Sequence, residues 1–174
     1  MVPVLIMPGI GGSGPDHWQS RWQLLLPDSR RVSVPDWDRP ELDDWLKALG
    51  AAVELCSAPP LIVAHSLGCL ALAALSERRP RLHGALLVAP PDPAGPQFPA
   101  VAMSFRAFPL LPFACPSIVV ASHDDPYASF EFSTGCARVW GSELCDVGAL
   151  GHINADSRLG DWPEGQRLLR SLLG

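Results

Sequence analysis

The sequence predicts an α/β fold: a three-layer sandwich in which a doubly wound, mostly parallel sheet of about six strands carries helices on both faces. Three observations predict it. Short β-rich runs alternate with longer helical ones, the order of βαβ units. The short runs are apolar almost throughout, as strands covered on both faces are. The 174 residues, 48% hydrophobic and 18% charged, suit a single domain, 1–174, with a sizeable core.

Taken in order, strands are expected at residues 2–7, 31–34, 61–64, 85–88, 117–121 and 144–147. Helices are expected at about 16–26, 41–55, 67–78, 129–139 and 164–173. In the second helix Leu42, Trp45, Leu46, Leu49, Ala52 and Val53 form a stripe of period 3.6, with Asp43, Asp44 and Lys47 off it. That is an amphipathic crossover helix. The third, Leu-Gly-Cys-Leu-Ala-Leu-Ala-Ala-Leu from Leu67, is apolar almost all round, as a helix packed centrally on the sheet should be. Residues 90–112 show no period and hold much of the proline, so they read as an irregular, substrate-side segment.

Composition excludes several classes. With 13 Lys+Arg against 18 Asp+Glu and a net charge of −5, the chain lacks the basic footprint of nucleic-acid or anionic-membrane binding. Its five cysteines are odd in number and show no Cys-x-x-Cys spacing, so neither a zinc site nor a disulfide framework is suggested. The start, Met1-Val-Pro-Val-Leu-Ile-Met-Pro, has no basic segment and reads as a strand rather than a signal peptide. The apolar stretch 61–75 is interrupted by His65 and Ser66 and is shorter than a membrane span. A cytoplasmic protein without a metal site, binding neither nucleic acid nor membrane, is expected.

The stretch Leu61-Ile-Val-Ala-His-Ser-Leu-Gly-Cys-Leu is a strand, a polar apex and a helix, with Ser66 at the turn. A turn this tight strains the apex and leaves room only for small residues two before and two after it, here Ala64 and Gly68. By itself the pattern also fits Ser66 as a simple helix N-cap. As a nucleophile, Ser66 needs a base and a group to orient that base. Ser117-Ile-Val-Val-Ala-Ser-His-Asp-Asp-Pro is a strand ending in acids, and a later strand leads to Gly151-His152. The order Ser, Asp, His is that of hydrolases built on a doubly wound sheet. Of the adjacent acids Asp125 is preferred, because Ser122-x-x-Asp125 followed by Pro126 frames a turn; Asp124 then faces solvent or bonds a loop.

The loop Pro8-Gly-Ile-Gly-Gly-Ser-Gly-Pro after the first strand has two readings. Gly9-x-Gly11-x-x-Gly14 with Asp36 fits a dinucleotide fingerprint. Against that, Pro15 belongs near the first helical turn, Asp16 brings negative charge to the helix start, and the reading leaves Ser66, Asp125 and His152 unused. In the hydrolase reading the N–H of Ile10 pairs with that of Leu67 as an oxyanion hole.

With these residues in hand, the chain resembles the small serine hydrolases grouped with retinoblastoma-binding protein 9 and the bacterial YdeN-like proteins. The resemblance runs along nearly the whole length. It rests on the Pro8-Gly9 loop with Gly11-Gly12 and His17-Trp18, on His65-Ser66-x-Gly68, on Ser122-x-Asp124-Asp125-Pro126 and on Gly151-His152. It implies an α/β-hydrolase fold without a cap domain, a Ser66, Asp125, His152 triad, ester hydrolysis through an acyl-enzyme, and no cofactor. Two departures stand out. Ala64 replaces the glycine usual at the first elbow position, and no Leu-x-Cys-x-Glu segment supports binding to the retinoblastoma pocket. The competing reading is a non-catalytic protein-binding module of the same fold. Candidate pocket residues are His17, Trp18, Phe105, Phe108 and Tyr127. For His17, Trp18 and Tyr127 the alternative is ordinary packing, and Phe98, Met103, Phe105, Phe108, Leu110 and Leu111 either line an apolar acyl site or only cover the sheet edge.

Overall fold

The computed structural model describes residues 2–107 and 111–174. Six strands form one sheet in the order β2-β1-β3-β4-β5-β6: β1 Val4–Met7, β2 Ser29–Arg31, β3 Leu61–His65, β4 Gly84–Val88, β5 Ser117–Ala121 and β6 Glu143–Asp146. Every neighbouring pair is parallel. The chain starts near the middle, winds outward to β2, then returns and winds outward to β6. The carboxyl ends of β1 and β3 therefore meet at the reversal of strand order, where sites in open α/β sheets are found.

Alternate strand residues feed two separate cores, as the period of two requires. Leu5, Met7, Ile62, Ala64, Ala85, Leu87 and Val119 point to one face; Val4, Leu61, Val63, Leu86, Val88, Ile118 and Val120 point to the other. The first face is covered by α2 (Leu42–Glu54), α3 (Leu67–Leu75) and α4 (Phe130–Trp140). The second is covered by α1 (Trp18–Leu25) and α5 (Pro163–Leu173). Trp45, Leu46 and Leu49 from the predicted stripe are buried, and all nine residues of α3 are buried. On the other face Trp18, Trp22 and Trp162 pack together, with centroids 4.7–5.8 Å apart.

The predicted elements occur in the predicted order, with shifted ends. The second strand is three residues, Ser29–Arg31, and not 31–34. Val32 and Val34 still enter the core, but the chain has already left the sheet. Asp36 consequently lies in a turn beyond the strand, where its carboxylate accepts from the N–H groups of Asp38 and Arg39. Pro15 lies outside α1, whose first turn is closed by the His17 ring: Nδ1 accepts from the N–H of Gln19 at 3.1 Å. That helix start is thus already capped, and Gly9 lies against the Ser66 turn.

Between β4 and β5 the parallel pairing demands a crossover, and the described residues of the proline-rich segment supply it without an α-helix. A 3-10 stretch, Ala100–Phe105, lies over the first face and buries Ala102 and Phe105 there, beside Phe98 from just before it. Phe105 stands edge-on to Trp45 at 5.2 Å. It is a core residue, which corrects the expectation that it lines the pocket: a sheet face left open by a missing helix must be covered by the residues that replace it. Met103 and Leu111 are exposed. Phe108 and Leu110 lie outside the described residues.

Candidate active site

The site is assembled where β1, β3, β5 and β6 end. Ser66 sits between β3 and α3 with φ 52° and ψ −125°, a conformation rare for a residue with a side chain. The turn is held by its surroundings: the N–H of Ser66 donates to the carbonyl of Val88 at 2.9 Å. A Cβ on Gly68 would lie 2.5 Å from the carbonyl oxygen of Met7 and 2.6 Å from that of Pro8. A Cβ on Gly9 would lie 2.8 Å from that of Ser66. Both glycines are required by close approach of backbone, as the elbow pattern demands.

Ser66 occupies the N-cap position of α3, yet its hydroxyl makes no capping bond. Its Oγ lies 2.8 Å from Nε2 of His152, and Nδ1 of His152 lies 2.9 Å from both carboxylate oxygens of Asp125. Because a carboxylate only accepts, Nδ1 carries the proton of the neutral ring and Nε2 is free to accept from the serine. Asp125 is itself fixed by the N–H of Tyr127, which donates to Oδ1 at 2.9 Å. The His152 and Asp125 side chains are 9% and 4% exposed, so their interaction is little screened by water.

A cavity of about 460 Å³ opens over Ser66. Its walls include Ile10, Ser13, His17, Leu67, Pro99, Val101, Tyr127 and Asn154. Ile10 and Leu67 begin a 3-10 turn and a helix respectively, so neither N–H has an acceptor within its own helix. The sequence-selected residues divide: His17 and Tyr127 line the cavity with Ser66 and His152, whereas Trp18 does not. Trp18 is 1% exposed, packed among indoles on the second face, and its Nε1–H donates to the carbonyl of Ile153 at 2.8 Å. It supports the loop after His152 from behind. From the irregular segment the walls take Pro91, Pro99 and Val101, small residues that aromatic patterning did not single out.

Two further histidines crowd His152. The rings of His17 and His65 are 4.7 Å apart and those of His65 and His152 5.0 Å apart. Nε2–H of His65 donates to the carbonyl of His152 at 3.0 Å. Burial, with Arg31 and His152 adding smaller effects, lowers the pKa of His17 to about 4. Burial also holds His65 well below the usual histidine range, helped by His152 and then His17. Both are therefore neutral neighbours.

Two supporting residues escaped the sequence reading. Buried Gln19 donates through Nε2 to the carbonyls of Met7 and Val63 and accepts from Ser13 Oγ at 2.7 Å. Arg31 reaches the carbonyls of Gly12 and Ser13 and the hydroxyl of Ser20, pinning the glycine loop from outside. An arginine ending a strand was a visible signal for such a role.

A second cavity, about 410 Å³, lies at the amino ends of β3 and β4 beside Pro60, Arg78 and Arg81. Its only thiol, Cys56, has its pKa raised by burial, the wrong direction for a nucleophile. Chemistry rather than size distinguishes the cavity over Ser66.

The profile of the serine hydrolase family matches residues 4–171. The chain belongs to the serine hydrolase family. This serine hydrolase is 30% identical to YdeN of Bacillus subtilis (strain 168) over 168 residues, covering 88% of this chain and 86% of that protein. It superposes on the crystal structure of a YdeN-like protein from Pectobacterium atrosepticum with a TM-score of 0.88 and 32% identity, over 99% of this chain and 90% of that one. An esterase from Thermogutta terrifontis, at TM-score 0.67 and 16% identity over 99% and 90% of the chains, shows that this serine hydrolase has the α/β-hydrolase fold.

Proposed function

We propose that the protein is an esterase that cleaves small carboxylic esters through an acyl-enzyme on Ser66. The observation that carries the reading is the continuous chain Ser66 Oγ, His152 Nε2, His152 Nδ1, Asp125 at 2.8 and 2.9 Å, at the wall of a cavity. As Ser66 Oγ attacks the ester carbonyl, its proton passes to Nε2 of His152 and Asp125 stabilises the imidazolium. Charge on the carbonyl oxygen is met by the N–H groups of Ile10 and Leu67, aided by the amino end of α3. His152 then returns the proton to the departing alkoxide, releasing the alcohol. Water, deprotonated by the same histidine, attacks the acyl-enzyme and frees the acid and Ser66. The glycine loop supports the oxyanion assignment, since Gly9 brings the Ile10 peptide against the elbow. All five cysteines are free thiols, in keeping with the reducing cytoplasm, which completes the reading.

Intact-protein mass after treatment with a fluorophosphonate tests the proposal, with Ser66→Ala alongside. A single adduct on the wild type and none on Ser66→Ala is the expected outcome, with loss of p-nitrophenyl acetate turnover in the variant. Retained turnover in a folded Ser66→Ala protein overturns it.

A further inference from the structure

Two adjacent carboxylates follow β5, and their surroundings differ. Asp125 is buried against His152. Asp124 turns the other way: its Oδ1 accepts from the N–H of Gly151 at 2.7 Å and from the hydroxyl of Ser122 at 2.8 Å. The Ser122 Oγ in turn accepts from the N–H of Leu150 at 2.8 Å. Two side chains of the acid turn thus hold the two peptide N–H groups immediately before His152. No strand or helix is available to hold them: β6 has ended at Asp146, and Gly151 has φ 58°.

We propose that Asp124 is a positioning residue for the hydrolytic reaction, acting on His152 through the Gly151 peptide and through Ser122. The inference rests on the role given above to Ser66, Asp125 and His152. His152 must present its two nitrogens to partners on different elements, Ser66 on β3–α3 and Asp125 after β5. Because Asp124 and Asp125 are neighbours in one turn, the brace ties the backbone of His152 to the carboxylate that its ring must meet. A displacement of the ring by about 1 Å costs on the order of 100-fold in rate. The Ser122 hydroxyl, and after it the Gly151 N–H, hold the Asp124 carboxyl below the usual carboxylate range, so it stays an ionised acceptor at neutral pH. The brace uses one oxygen, Oδ1. An asparagine presents a carbonyl oxygen in that place, whereas alanine presents none.

The test compares wild type, Asp124→Asn, Asp124→Ala, Asp125→Asn and Ser66→Ala in fluorophosphonate labelling rate and in kcat and KM on a p-nitrophenyl ester, each beside its melting curve. Asp124→Ala is expected to lose about 10- to 100-fold in kcat and labelling rate with KM within about twofold. Asp124→Asn is expected to recover to within about threefold of wild type, while Asp125→Asn stays down by about 10⁴. Equal losses in Asp124→Asn and Asp124→Ala, or a loss carried by KM alone, overturn the proposal. If Asp124→Ala does not fold, Ser122→Ala replaces it: a fall in kcat of about tenfold at unchanged KM supports the brace, and wild-type kcat overturns it. Labelling of Ser66→Ala at the wild-type rate sinks the underlying triad reading instead, and so separates the two failures.

Discussion

Ser66 and His152 come within 2.8 Å of each other, but the loops that carry them are built in different ways. The Ser66 turn joins a buried strand directly to a buried helix, and its geometry is set by sterics among a few residues: Ala64, Gly68 and Gly9. The His152 loop belongs to neither strand nor helix. Gly148, Gly151 and Ile153 all have positive φ, and its polar groups are held by distant side chains. Ser122 takes the N–H of Leu150, Ser157 its carbonyl, Asp124 the N–H of Gly151, His65 the carbonyl of His152 and Trp18 that of Ile153. The first loop is rigid because the end of β1 and the Gly9 backbone pack against it and leave it no room. The second is ordered because four other parts of the chain converge on it. A change in the elbow should therefore act through backbone displacement, and a change in the tethers through loss of individual bonds.

Breaking the elbow gives the largest effect. Gly68→Ala places a methyl group against the Met7 and Pro8 carbonyls and should cost about 3 kcal/mol in urea unfolding, with esterase activity falling alongside; a variant as stable as wild type would contradict the close approach. Acid acts on the histidine side of the second loop. His17 is depressed from 6.5 to about 4, so below 6.5 the unfolded chain binds the proton that the folded chain refuses, and stability falls as pH drops through that window. From His17 alone, urea midpoints should report a loss of about 2 kcal/mol between pH 7 and pH 5, with His65 acting in the same direction. In His17→Asn the slope should be smaller, and an unchanged slope would remove His17 from the account. The smallest effect comes from a single tether. Trp18→Phe keeps most of the packing but loses the bond to Ile153, and should cost about 1 kcal/mol and a few-fold in kcat; a kcat unchanged in a less stable protein would show that this end of the loop does not govern the base.

Legibility in the sequence follows the same division. The apolar strands, the stripe of α2 and the elbow were readable because each is local, its residues fixed by period or by steric demand over a few positions. Chain order and strand ends point to Ser66, His152 and the Asp124-Asp125 pair, and the Ser122-x-x-Asp125-Pro126 frame selects Asp125; the three lie within hydrogen-bonding distance here. For Trp18 and Phe105 the sequence leaves pocket and packing open, because an aromatic side chain near a site in sequence serves equally well as core; both are core. Phe105 was claimed by the sheet face that the missing crossover helix leaves open, and Trp18 by the indole cluster with Trp22 and Trp162. Gln19 and Arg31 were passed over, since a polar residue shows its partners only when distant carbonyls are brought to it.

The sequence by itself determined the parallel α/β architecture, the order of its elements and the turn at Ser66, since alternation of apolar runs and small residues two before and two after a polar apex are patterns of neighbouring positions. Only the tertiary structure decided which aromatics line the cavity and what holds the His152 loop. Those outcomes depend mostly on partners far apart in the chain, such as Asp124 with Gly151 and Trp18 with Ile153, 27 and 135 positions apart, which are selected when the sheet is wound and not before.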